Sequence, residues 1–111
     1  SAASDVYKRQ GCANDPAPNE QMRISEQALE QAKAVGATDQ VEELKLAEDK
    51  LARAKTNMLT EDYRDARMRA EQAELDARLA EARVLNQKSD EQLELLQSRV
   101  KRLRKQLEVQ P

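Results

Sequence analysis

From residue 60 to residue 110 the chain has neither proline nor glycine. An unbroken stretch of that length constrains the fold more than any other feature, because both common helix breakers are missing from it. In its first half Tyr63, Ala66, Ala70, Ala73, Ala77, Ala80 and Val84 recur in alternating steps of three and four, so they share one face of a helix. In its second half Leu93, Leu96, Val100, Leu103 and Leu107 repeat the same alternation with larger side chains. A continuous helix over residues 60–110 would be about 75 Å long, more than a compact domain of this size requires. The remaining chain must cover part of it.

Composition sets what can do the covering. Among 111 residues the apolar share is 39 % but the aromatic share only 2 %, with no Phe or Trp. The core is therefore built from Leu, Ala, Val and Met, which suits closely packed helices better than a sheet or a deep ligand pocket. Charged residues make up 36 % and both signs are interspersed, the composition of long solvated helices. The expected fold class is all-α: a small antiparallel three-helix bundle whose long C-terminal helix projects as a coiled-coil-like arm. A formal net charge of -2 gives no electrostatic footprint for nucleic acid.

The first helix is predicted over about 20–35, with Asn19 as its N-cap, Ile24, Ala28, Ala32 and Val35 on one face, Leu29 at the edge, and Gly36 as its stop. Thr38 is the expected cap of a second helix over about 39–59, with a stripe of Val41, Leu44, Ala47, Leu51, Ala54 and Met58 that Leu46 and Leu59 widen. Thr60 resets the pattern as the cap of a third helix over about 61–109, and Asn57 is the residue expected to turn left-handed before it. A weak internal repeat supports these boundaries: Glu26, Leu29, Ala32, Lys33 and Thr38 recur as Glu48, Leu51, Ala54, Lys55 and Thr60. Short links favour antiparallel neighbours. At Asn86, Gln87, Lys88, Ser89 and Asp90 the third stripe becomes polar, and Ser89 with Gln92 has the spacing of a capping box. A continuous helix is favoured there, with a kink as the alternative. At their predicted lengths the first two helices reach along only half of the third, leaving the leucine segment to self-association or to another partner.

The N-terminal region reads differently. Asp5 to Gln10, DVYKRQ, is the translation of the end of a common sequencing-library transposon adapter, so residues 1–10 are read as foreign to the domain, with a natural polar leader as the alternative. Residues 11–19 then form a tether. The junction Gly11-Cys12-Ala13-Asn14-Asp15 resembles the cleavage site of a bacterial lipoprotein. That resemblance implies that Cys12 carries the acyl chains, and Ala13 after it resembles outer-membrane retention. Pro16 and Pro18 suit an extended link between a membrane surface and a folded domain. The alternative is an ordinary exposed cysteine.

Little in the chain points to catalysis. Histidine is absent, which removes the usual general base near neutral pH and the commonest metal ligand. One cysteine makes no internal disulfide. Carboxylate pairs such as Glu61 with Asp65 or Glu71 with Asp76 have the spacing of surface helix positions, and glycine occurs only at Gly11 and Gly36, too sparse for a phosphate-binding loop. No catalytic residue, metal site or cofactor is expected. Arg99, Lys101, Arg102, Arg104 and Lys105 form a basic cluster that suits the negative end of a helix dipole, with binding of anionic headgroups, lipopolysaccharide or an acidic partner as the alternative. No aromatic side chains interleave with it, so a nucleic-acid stacking surface is not expected.

Taken with Cys12, the segments Ala34-Val35-Gly36-Ala37, Tyr63-Arg64-Asp65-Ala66 and Ala70-Glu71-Gln72-Ala73-Glu74-Leu75-Asp76-Ala77 make the chain, over roughly residues 22–84, resemble the small proteobacterial proteins of the DUF4398 family. The resemblance implies an envelope lipoprotein of unknown function. Some members add an OmpA-like peptidoglycan-binding domain after the helices, and the residues here hold the helices alone. The expected function is a non-catalytic, periplasm-facing lipoprotein of the outer membrane, anchored through Cys12. Its arm would recruit a second copy or an envelope protein partner, and nucleic acid is not among the expected partners. The alternative is a soluble periplasmic helical adaptor or chaperone-like binder, with an enzyme subunit or regulator as a distant third.

Overall fold

The computed structural model describes residues 15–109. Among them the protein is all-helical, with three helices: α1 Asn19–Ala34, α2 Glu42–Leu59 and α3 Tyr63–Val109. The molecule is elongated, 92 × 27 × 18 Å, because α3 runs unbroken for 47 residues through the polar stretch at 86–90. Residues 1–14, which include the first four of the tether expected over 11–19, lie outside the described part.

The core is a layer of small side chains. On α3 Ala66, Ala70, Ala73, Ala77, Ala80 and Val84 are all buried. Against them pack Ala28, Leu29 and Ala32 of α1 and Leu44, Ala47, Leu51 and Ala54 of α2. Facing alanines let the helix axes approach closely, so dispersion between backbones takes over much of what large side chains supply elsewhere. Polar contacts mark the seams. As α2 descends through Asn57, Lys50 and Glu43, its partners on α3 ascend through Arg69 (2.8 Å), Asp76 (2.7 Å) and Arg83 (2.6 Å). On α1 the Ser25 hydroxyl reaches the Ala70 carbonyl at 2.6 Å, and beyond its C-terminus the Lys88 ammonium donates to the Val35 carbonyl.

Ser25 is a feature the apolar stripe of α1 does not announce. It is buried while Ile24, expected on that face, is only half-buried. The α1 backbone lies so near α3 that only a small side chain fits at this position, and the hydroxyl is satisfied by carbonyls of both helices, Gln21 (2.8 Å) and Ala70. Leu46 and Leu59 do not widen the α2 stripe: they are 40 % and 85 % exposed. With α1 and α3 both on the face of Leu44, Ala47, Leu51 and Ala54, nothing remains to cover that flank.

Gly36 stops α1 as expected, but every expected N-cap is displaced. Asn19 is already helical and Pro18 precedes it, its ring buried and its carbonyl accepting the Met22 N–H at 2.9 Å. α2 begins three residues later than Thr38 predicts, since Thr38 closes a turn by accepting the Val41 N–H (2.9 Å), and buried Ala37 with half-buried Val41 holds the link against the core. α1 and α2 end alike. Ala37 donates to Ala32 (3.0 Å) and Gly36 to Lys33 (3.0 Å); Asp62 donates to Asn57 (2.8 Å) and Glu61 to Met58 (3.2 Å). Both are Schellman motifs, whose residue after the C-cap turns left-handed. Gly36 does so at φ 113 and Glu61 at φ 59. Thr60 is thus the C-cap of α2 and not the N-cap of α3, and Asn57, expected to turn left-handed, stays in the helix. The repeat that equates Thr38 with Thr60 does not extend to their structural roles.

Only glycine adopts that left-handed conformation without a Cβ penalty, of about 1–2 kcal/mol. Glu61→Gly is therefore expected to raise the unfolding free energy by about 1 kcal/mol, read as a higher urea midpoint at unchanged slope.

Candidate interaction surface

Beyond Val84 and the contact of Lys88 with Val35, no other described residue covers α3. Every described side chain from residue 85 to residue 108 is exposed. The predicted partner-binding residues Leu93, Leu96, Val100, Leu103 and Leu107 all lie there, 46 % to 70 % exposed. At about 100° per residue they fall within a narrow sector of the helix surface. Leu93, Leu96 and Val100 share a shallow groove with Gln97, Lys101 and Arg104. This surface matches an apolar helix better than a small molecule, since it has no enclosed concavity to desolvate a ligand.

The basic residues are arranged otherwise. Arg99, Lys101, Arg102, Arg104 and Lys105 are all exposed, but their spacing distributes them around the arm on every side except the leucine sector. They do not converge on one point. Such a distribution solvates the arm and complements the helix C-terminus rather than forming a cradle for one anion. Cys12, the expected lipid site, lies outside the described residues.

One part of the surface escapes the stripe reading. Met68, Leu75 and Leu79 are exposed on the bundle half of α3. Counting back from Leu93 in steps of four and three reaches Ser89, Asn86, Ala82, Leu79, Leu75, Gln72 and Met68. The same register that carries the arm leucines thus continues over the base, about 140° around α3 from the buried alanines. Asn86 and Ser89 bound its strongly apolar segment.

Electrostatics in the base serve the packing. The Gln21 amide donates to Glu74 at 2.9 Å and the Arg78 guanidinium pairs with the same carboxylate at 2.7 Å. These hydrogen bonds, from Gln21 first and Arg78 second, hold the Glu74 carboxyl below its ordinary value. A depressed carboxylate contributes stability that is present above its unfolded pKa and lost as the pH falls through its folded one. Glu74→Gln is therefore expected to flatten the loss of stability in acid, checked by urea unfolding at neutral pH and below the ordinary carboxylate range. Among the described residues no cluster of three or more His, Cys, Asp or Glu is placed to hold a metal ion. No described helix is long and apolar enough to cross a membrane.

Comparison with known proteins places this architecture. No functionally curated protein matches the chain. The crystal structure of a DUF4398 family protein (PA2901) from Pseudomonas aeruginosa PAO1 is 68 % identical to it, covering 83 % of this chain and 96 % of that one at a TM-score of 0.82. Residues 20–96 match the family described as a domain of unknown function, DUF4398. That span takes in the three-helix base and the first part of the arm, so by profile, identity and shape alike the chain belongs to the DUF4398 family.

Proposed function

We propose that this protein is a non-catalytic lipoprotein of the bacterial outer membrane, anchored through Cys12 and facing the periplasm. Its helical base is an antiparallel three-helix bundle that presents the end of α3, as a coiled-coil-like arm, to a partner helix. The observation that carries this reading is the exposed seam of Leu93, Leu96, Val100, Leu103 and Leu107 on an unbroken helix whose base is independently packed. An apolar stripe of that length in water favours association with a matching helix. The opposed progression of ion pairs between α2 and α3 supports the antiparallel arrangement. The junction around Cys12 supports the anchor, and two chains would give such an anchor more hold than one. Scaffolding by helix contact needs neither a general base nor a cofactor, in keeping with the absence of histidine.

The test has two readouts in a bacterium expressing the protein behind a lipoprotein leader. Labelled fatty acid is expected to enter the protein, and Cys12→Ser to abolish it and release the chain to the soluble periplasm. A photo-crosslinking residue in place of Leu96 is expected to give a discrete adduct that the added change Leu103→Asp removes. Labelling that persists without Cys12 would overturn the anchor, and no adduct from any seam position would overturn the scaffold. A chain that is soluble yet still gives adducts would instead be the periplasmic adaptor.

A further inference from the structure

The arm's charges identify its partner. Counting by heptads puts Leu93, Val100 and Leu107 at a positions and Leu96 and Leu103 at d positions. One flank of that seam reads Asp90, Glu94, Gln97, Lys101, Arg104, two acids, a neutral residue and two bases. All are exposed, and among the described residues the ion pairs found lie N-terminal to them, in the base. A flank with that order is complementary to itself when reversed. We infer that the partner is a second copy of this chain, whose arm lies antiparallel with residue 98 of each copy at the two-fold axis. The inference rests on the reading of the arm as a partner-binding surface and names what binds it.

In this register the a and d layers stack Leu93 on Leu103 of the other copy and Leu96 on Val100. Asp90 faces Arg104, a pair that occurs twice by symmetry, while Gln97 meets its own copy at the axis; Glu94 and Lys101, at b positions, lie outside them and extend the same acid-to-base order. On the other flank Gln92 faces Gln106, and Arg99 meets Arg99 as the single like-charge contact. The competing arrangements are worse. A parallel pair in register sets Arg99 against Arg104 of the other copy and brings the whole basic run beside its duplicate. Sliding the antiparallel pair one heptad towards the C-termini replaces both ion pairs by Gln97 with Arg104, and one heptad the other way sets Arg83 against Arg104.

Length agrees with charge. With residue 98 at the axis the overlap runs from about residue 87 to residue 109, roughly 35 Å of helix. That is the part of α3 which the described residues leave bare beyond Val84 and the contact of Lys88 with Val35. Residue 109 of each arm then lies level with residue 87 of the other. Two bases stand at opposite ends of a rod, each copy supplying half of its cover.

The orientation is tested by disulfide trapping of the full chain with Cys12→Ser, so that each added thiol is the only one. Gln97→Cys is expected to form a covalent dimer under mild oxidation, whereas Leu107→Cys stays a monomer. The reverse result, linkage through residue 107 and none through residue 97, would overturn the antiparallel pairing. Sedimentation supplies the second arm. Arg104→Glu is expected to weaken the dimer about tenfold or more, and Asp90→Arg combined with Arg104→Glu to restore it. A chain that stays monomeric at all concentrations, or a double variant no better than the single one, would overturn the inference. Leu96 photo-adducts to a different envelope protein would leave the scaffold reading standing while removing the second copy, so the two failures are distinguishable.

Discussion

Leu44→Ala is expected to lower the free energy of unfolding by about 2–5 kcal/mol, a large fraction of what a small domain possesses. Leu44 is 1 % exposed and is the largest apolar side chain that the core encloses completely. Its neighbours explain why the loss falls at the upper part of that range. The pairing of Glu43 with Arg83 puts Leu44 level with Ala80 and Val84 of α3, a methyl and a stiff β-branched side chain with little freedom to relax into the space a leucine leaves. The cost thus combines the lost transfer energy of the removed methyl groups with a cavity that persists. Urea unfolding followed by circular dichroism measures it, and the slope against urea is expected to stay unchanged. A loss below 1 kcal/mol would mean that α2 shifts towards α3 to close the gap.

Ala77→Leu is expected to destabilise the fold by about 1–3 kcal/mol from the opposite cause. Ala77 has no exposed surface and lies midway along a stripe whose adjacent members, Ala73 and Ala80, are equally small. The close approach of the helices that lets Ser25 bond the Ala70 carbonyl at 2.6 Å leaves no volume for an isobutyl group. A leucine here either takes a strained rotamer or pushes α1 and α2 away along the whole seam, stretching the contacts of Lys50 with Asp76 and Arg83 with Glu43. Leucine is nearly as good a helix former as alanine, so propensity contributes almost nothing to the effect. The neighbouring change Leu75→Ala is the control. Leu75 is 67 % exposed on the same helix, and its truncation is expected to alter stability by no more than about 0.5 kcal/mol. Equal effects at the two positions would contradict the placement of the core.

Much of this was legible in residue spacing. The alternation of threes and fours from Ala66 to Val84 marked the buried face of α3, because a helix places such residues on one side whatever surrounds it. The same rule marked Leu93, Leu96, Val100, Leu103 and Leu107 as one seam, and the lengths of the other helices left that seam bare. The continuation through Leu79 and Leu75 to Met68 was present in the same spacing, but the alanine stripe is the stronger signal on that half. Its register emerges once the exposed residues of α3 are aligned.

The sequence by itself determined the all-helical class, the three segments, the face of α3 that meets the core and the face of its arm that does not. These follow from local geometry, in which each residue's direction is set by its neighbours a turn away. Only the tertiary structure decided where the helices begin and end, why Ser25 rather than Ile24 enters the core, and why Leu46 and Leu59 stay in water. Each depends on how close a second helix comes and on which flank it occupies. Capping shows the difference most sharply: Thr38 and Thr60 each have the chemistry of an N-cap, yet packing of Ala37 and Val41 starts α2 later, and a left-handed Glu61 closes α2 before α3 begins. A cap forms where the packed chain needs to turn, and spacing along one helix carries no record of the other.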